Sequence, residues 1–307
     1  MFRNSARGDE SPTFAWEPHL LPWKLESNRP IGRGAFGKVY ACRRGAVRAA
    51  CKLIEVGNED AARDEIECQR LCERFAPRVL HTYISKTCAL IVMERFAMSF
   101  DHMLEDLFQH LATDVFERTL ASLLPRLLVH IDGFRAPMPG FDIVHGDLSP
   151  RNVLLGADCI TMDDLRRQAP DVPLGRVVAC DFGYSTVYVS GIAHRPLMAR
   201  SELRRMLLYT PGYDRHFFLA SVIGAVAHWS KKPARHWVRR LGELAPARDG
   251  MRPSLKEELR ATKKFVREYS SVHKWQGHEI WAQDFLDIRG INNPETGQKH
   301  NASPMVR

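Results

Sequence analysis

The chain has no CxxC pair, no unbroken apolar N-terminal run, no hydrophobic stretch long enough to span a bilayer and no internal repeat. Its cysteines, at 42, 51, 68, 72, 88, 159 and 180, are odd in number, which argues against a disulfide framework and a zinc site and points to free thiols in a reducing compartment. Asp9, Glu10 and several prolines interrupt the first residues where a secretion signal needs an apolar core. The most apolar run, "FFLASVIGAVAHW" from 217 to 229, is too short for a membrane span and reads as a buried helix. The expectation is an intracellular protein with no membrane association.

What remains is a chain of 307 residues, 45% hydrophobic, enough for two closely packed lobes with a substantial core. A net charge of +8 favours anionic partners without specifying one. The densest basic stretch, "KKPARHWVRRL" at 231–241, reads as the solvated face of a helix rather than a nucleic-acid surface.

"IGRGAFGKVYACRRGAVRAACKLIEV", residues 31–56, sets Gly32, Gly34 and Gly37 at GxGxxG spacing. A dinucleotide-binding fold needs a helix to begin there, with an acid such as Glu55 downstream on the ribose. The residues that follow, "KVYAC", the turn "RRG" and "VRAACKLIEV", are strand formers in a hairpin. A glycine hairpin can lie over phosphates, with Val39 covering an adenine ring and Lys52 supplying positive charge. "EDAARDEIECQRLCERF", residues 59–75, reads as one helix with Ala61, Cys68, Leu71, Cys72 and Phe75 on its apolar face. Asp64 and Glu65 flank that face, and periodicity leaves both open as ion-pair partners for a lysine.

"CALIVMERFAMSF", 88–100, reads as an apolar strand and a crossing to the second half. "DIVHGDLSPRN", 142–152, taken alone is a polar hairpin turn between the strands "FDIV" and "VLL". "GRVVACDFGYSTV", 175–187, is another apolar strand, ending in Asp181-Phe182-Gly183.

In this fixed order the segments resemble the eukaryotic-type protein kinase superfamily: "GRGAFGKV", then "AACKLI", "DEIECQRL", "IVMERF", "HGDLSPRN" and "DFG". The resemblance covers roughly residues 30–185 and is thin beyond. It implies an α+β, bilobal protein-kinase-like fold: an N-lobe antiparallel sheet with one main helix and a mainly helical, abbreviated C-lobe. The implied boundaries are an extension at 1–26, an N-lobe at 27–97, a C-lobe at 98–262 and a helical then polar tail at 263–307.

The resemblance also implies an ATP- and Mg²⁺-dependent transfer of phosphate to protein hydroxyls, Ser/Thr preferred. Residue by residue, Ile31, Gly32, Gly34, Gly37 and Val39 would enclose the nucleotide, with Lys52 on its phosphates and paired to Glu65. Met93 would stand at the gate of the adenine pocket, backbone groups of Glu94 and Phe96 would bind the base, Asp147 would orient the hydroxyl, and Asn152 with Asp181 would hold Mg²⁺. Two alternatives are a small-molecule phosphotransferase of aminoglycoside or choline kinase type and a nucleotide-binding pseudokinase scaffold, the latter disfavoured because lysine, aspartate and metal ligands are all present.

Departures from the family pattern are also visible. Gly146 replaces the arginine of HRD, Ser149 replaces the lysine two residues past the aspartate, and Arg151 lies four past it. The connection from Asn152 to Asp181 is long, with an insertion at 156–175. APE is missing after "TPGYDRH", no aspartate stands at the expected place in the "FFLASVIGAV" helix, and Arg252 in "MRPSLKEEL" lacks its usual glutamate. The shared loss of landmarks is similar to that of herpesvirus-encoded Ser/Thr protein kinases.

Overall fold

A computed structural model describes residues 17–34, 37–55, 59–135, 141–157, 174–189, 192–196, 212–245 and 253–270. Ala35 and Phe36 of the glycine loop, most of the inserted segment, Arg252 and the tail beyond 270 lie outside the described residues. The fold is α+β, with antiparallel sheets and six α-helices among the described residues.

The largest sheet has the order β1 (Lys24–Leu25), β3 (Gly37–Arg44), β4 (Val47–Glu55), β6 (Cys88–Glu94), β5 (Val79–Ile84), with β2 (Gly32–Gly34) also on β3. Strand side chains alternate between faces, so β4 divides its residues between two cores. Ala49, Cys51 and Leu53 join Leu20, Trp23, Tyr40 and Val92 on one face. Ala50 and Ile54 face Ala62 and Ile66 of α1 (Glu59–Leu71) on the other. Lys52 has the parity of Ala50 and Ile54, and this alone carries its side chain toward α1.

The helix expected over 59–75 ends at Leu71. Its last residues tighten into turns, Glu73 N–H donating to Arg70 O at 3.1 Å and Phe75 N–H to Cys72 O at 2.6 Å. The change frees Phe75 O to accept from Ala179 N–H at 2.8 Å, which ties the end of α1 to β10 (Val177–Ala179).

The second core is built by α2 (Phe100–His110), α3 (Thr113–Arg135), α4 (Tyr213–Ser230), α5 (Ala234–Leu244) and α6 (Leu255–Ser270). Phe100, Phe116, Phe218 and Trp237 are its largest fully buried side chains, each contributing about 1.5–3 kcal/mol by burial. As its apolar run implies, α4 is buried nearly all round, from Phe217 through Ala227. In α5, Ala234, Trp237 and Leu241 are buried, while Arg240 pairs with Glu117 at 2.6 Å and Arg239 lies 3.9 Å from Glu243. Arg239 and Arg240 of the basic stretch thus have acidic neighbours within the protein. Helix α6 continues through the boundary expected at 262–263, because Leu255, Leu259, Phe265 and Val266 are buried in the same core.

Two small sheets are formed by strands that follow the large sheet in the chain. The strands β7 (Met98–Ser99), β9 (Val153–Leu155) and β10 form one; β8 (Phe141–Val144), β11 (Thr186–Val189) and β12 (Ile192–Pro196) form the other. The strands flanking "HGDLSPRN" therefore belong to different sheets, and the segment is a crossing between them rather than the hairpin turn its composition suggests.

Among the described residues no helix is long and apolar enough to cross a membrane, and the six described cysteines are free thiols.

Candidate functional site

One lysine is held between two carboxylates from distant parts of the chain. Lys52 Nζ donates to Glu65 Oε1 at 2.5 Å and to Asp181 Oδ1 at 2.7 Å, with Lys52 and Glu65 buried and Asp181 more open. Of the two acids that periodicity left open, the buried one is Glu65; Asp64 stays half-buried. Burial alone would lower the lysine pKa, but Glu65 and Asp181 outweigh it and raise it. Burial, reinforced by the Asp181 charge, raises the Glu65 carboxyl against the pull of Lys52.

Asp181 has φ 67° and ψ 67°, a left-handed conformation that among the described non-glycine residues only Lys231 shares in sign of φ. Such backbone costs an aspartate energy and persists where surroundings over-determine it. Here Lys52 holds its carboxylate, Phe182 is buried at 2% exposure next to His145 at a ring distance of 5.1 Å, and the preceding Cys180 N–H donates to Asn152 O at 2.9 Å. Burial and the Asp181 charge push the Cys180 thiol up to about 12, so it is protonated at neutral pH and no nucleophile.

The same Cys180–Asn152 bond brings in the polar crossing. Asn152 Nδ2 donates to Asp147 O at 2.8 Å and to Asp147 Oδ2 at 3.2 Å. Its nitrogen is thereby committed to Asp147, which leaves the amide oxygen as the atom able to ligate a cation. Burial, with the Asp181 carboxylate adding to it, raises the Asp147 carboxyl above the ordinary aspartate range, while His145, Arg151 and the Asn152 amide oppose. His145 bridges the two segments: Nε2 donates to Cys180 O at 2.9 Å and Nδ1 accepts from Asp147 N–H at 3.3 Å.

No aspartate stands within "FFLASVIGAV", but α4 begins earlier, at Tyr213, and so includes one. Asp214, in the first turn of α4, accepts from His145 N–H at 2.7 Å and from Gly146 N–H at 2.9 Å, one oxygen to each. The residue is visible in "TPGYDRH", but its role depends on a contact across 68 residues of chain. Gly146 in turn has φ 80°, a conformation glycine adopts without strain and an arginine does not.

Of the expected base-binding residues, Met93 and Glu94 end β6 and Phe96 lies between β6 and β7. Met93 is 7% exposed and receives a contact from Gln69 Nε2 to its Sδ at 3.6 Å. Among the described residues the Phe96 backbone N–H and C=O take no protein partner. Across the large sheet, Gly32, Val39, Lys52 and Ile91 stand in register in one row, so Gly32 lies two strands, on the order of 10 Å, from Lys52. Ile31, directly before that row, is 53% exposed, an apolar side chain left open beside the glycine strand. Gly37 is required for another reason than phosphate access: a Cβ there would lie 2.0 Å from Leu53 O. Gly34 ends β2 opposite Gly37.

Thus Lys52, Glu65, Asp181, Asn152 and Asp147 form one hydrogen-bonded constellation at the meeting of the large sheet and the helical half. Two carboxylates face one buried ammonium, and the Asp181 charge also acts on Asp147, an excess of negative charge that a cation would relieve. Among the described residues no three His, Cys, Asp or Glu side chains form a metal cage. One carboxylate, Asp181, and one amide oxygen, Asn152, could hold only an ion that keeps water and phosphate ligands, as Mg²⁺ does. No protein-family model matches the chain, and no curated protein matches it.

Proposed function

We propose that the chain is a protein kinase of bilobal, kinase-like fold, transferring the γ-phosphate of ATP to protein hydroxyls, most readily serine or threonine. The observation that carries this reading is the clamp of Lys52 between Glu65 and Asp181, linked through Cys180 and Asn152 to Asp147. The residues fit Mg·ATP: a buried lysine for phosphate oxygens, a partly open carboxylate and an amide oxygen for Mg²⁺, and the open Phe96 backbone for the base. Bound Mg·ATP supplies the transferable phosphoryl group and the cation that spreads its charge.

The chain's own part is positioning and electrostatics. Glu65 keeps the Lys52 ammonium fixed on the site side of β4. Asp181 and Asn152 present oxygens from the two segments joined at Cys180 N–H. The Asp147 carboxylate accepts a hydrogen bond from the substrate hydroxyl and takes its proton as the oxygen attacks. Asp214 holds the Asp147 loop by its main chain, so that this carboxylate needs no rearrangement to act.

Mg·ATP is expected to raise the melting temperature of the purified chain, and at roughly 100 times its Kd to add about 2.7 kcal/mol of stability. Labelled γ-phosphate is expected on serine or threonine of a mixed protein substrate. Absence of any thermal shift would sink the reading, and turnover confined to small hydroxylated metabolites would move it to a small-molecule phosphotransferase.

A further inference from the structure

The connection between β6 and β7 is pinned by its main chain at both ends. Glu94 N–H donates to Arg78 O at 2.9 Å, and Ala97 N–H to Leu155 O at 3.0 Å. Between these anchors Phe96 leaves its backbone donor and acceptor unpaired among the described residues. Two side chains reach the connection from elsewhere: Glu26, whose Oε2 accepts from Arg95 Nη1 at 2.9 Å, and, on the Phe96 side, Arg176, just before β10. Its Nη1 donates to both oxygens of Glu94 at 2.6 and 2.7 Å, its guanidinium carbon lies 5.3 Å from the centroid of the Phe96 ring, and its Nη2 donates to Ala76 O at 3.4 Å. Its own carbonyl accepts from Gly156 N–H at 2.9 Å, fixing its base to the start of the inserted segment.

One planar guanidinium therefore grips the carboxylate before Phe96, the Phe96 ring and the chain leaving α1. A lysine offers neither the fork nor the stacking plane. The Arg176 and Glu94 side chains are 39% and 34% exposed, so the pair is screened by water and adds little to global stability. What it restricts is the orientation of the two-residue span whose backbone groups stand open.

We infer that Arg176 is a positioning residue for the base half of the nucleotide site, holding the Phe96 backbone in the geometry that receives adenine. This rests on the kinase reading of the cleft. The phosphate half is anchored by Lys52 with Glu65 and Asp181, whereas Arg176 acts on Glu94, Phe96 and Ala76, so effects on the two halves are expected to separate.

The test is calorimetric titration of the full chain with adenosine, Mg·ATP and Mg·tripolyphosphate, for wild type, Arg176→Ala, Arg176→Lys and Glu94→Gln. Arg176→Ala is expected to weaken adenosine and Mg·ATP roughly tenfold while tripolyphosphate changes less than about twofold, the loss of one stacked and charge-assisted anchor. Arg176→Lys is expected to recover only part of the loss, and Glu94→Gln to weaken adenosine in the same direction. These two variants carry the comparison if Arg176→Ala fails to fold. Equal weakening of adenosine and tripolyphosphate, or unchanged adenosine affinity, overturns the inference. A wild-type chain that binds none of the three removes the nucleotide site itself, a distinct result.

Discussion

Asp147→Asn is expected to slow γ-phosphate transfer by roughly two to four orders of magnitude while leaving Mg·ATP binding and the melting temperature close to wild type. The substitution keeps the shape of the side chain and an oxygen able to accept from Asn152 Nδ2, so the crossing keeps its packing. What it removes is the negative acceptor for the substrate proton. The raised pKa of Asp147 adds a second signature. The active form is the carboxylate, so the wild-type rate falls as pH drops through that pKa, and the acid limb lies above the range of an ordinary aspartate. Initial rates with labelled ATP across pH measure both effects. A variant keeping more than about a tenth of wild-type turnover would take Asp147 out of the chemistry.

Lys52→Met is expected to abolish transfer and also to cost about 3–5 kcal/mol of folding stability, the usual consequence of removing one member of a buried ion pair. Lys52 and Glu65 have side-chain exposures of 8% and 4%. Methionine fills most of the volume but leaves Glu65 without its counter-charge and next to Asp181. Burial already raises the Glu65 pKa in the folded chain, and loss of Lys52 raises it further. The folded variant then binds a proton that the unfolded chain releases. Its stability is therefore greatest below the ordinary carboxylate range and declines as pH rises through the folded Glu65 value. Denaturant unfolding at pH 5 and pH 8 checks the slope. Lys52→Met/Glu65→Leu is expected to regain much of the stability but none of the activity, because an apolar pair replaces a broken one. A pH-independent loss, or no recovery in the double variant, would show that the pair is not the cause.

Much of this arrangement is legible in the sequence. The hairpin of β3 and β4 follows from strand formers around "RRG", and the parity of Lys52 with Ala50 and Ile54 aims it at α1. Periodicity alone stopped at two acids, Asp64 and Glu65; the motif order selected Glu65, the one that pairs with Lys52. Other features depend on contacts that no local pattern encodes. An acid in the first turn of a helix is ordinary, so nothing marked Asp214 as the partner of amides 69 and 68 residues earlier. The glycine at 146 looked like a lost arginine, whereas its positive φ makes it a backbone requirement. Arg176 lies in a stretch that reads only as the start of a strand, and its reach to Glu94, 82 residues away, is a matter of packing. The early end of α1 likewise reflects a tertiary bond, that of Phe75 O to Ala179 N–H.

The carboxylate of Asp214 has one further consequence. Polar crossings made of turn residues generally open at little free-energy cost, apart from the rest of the molecule. Here two successive amides are tied to the head of the helix that carries Tyr213, Phe217 and Phe218 into the core. Exposing those amides means lifting that helix. The reacting loop therefore inherits the lifetime of the hydrophobic interior: the amide protons of His145 and Gly146 should exchange with deuterium on the timescale of global unfolding, and warming should extinguish the loop and the core in a single step.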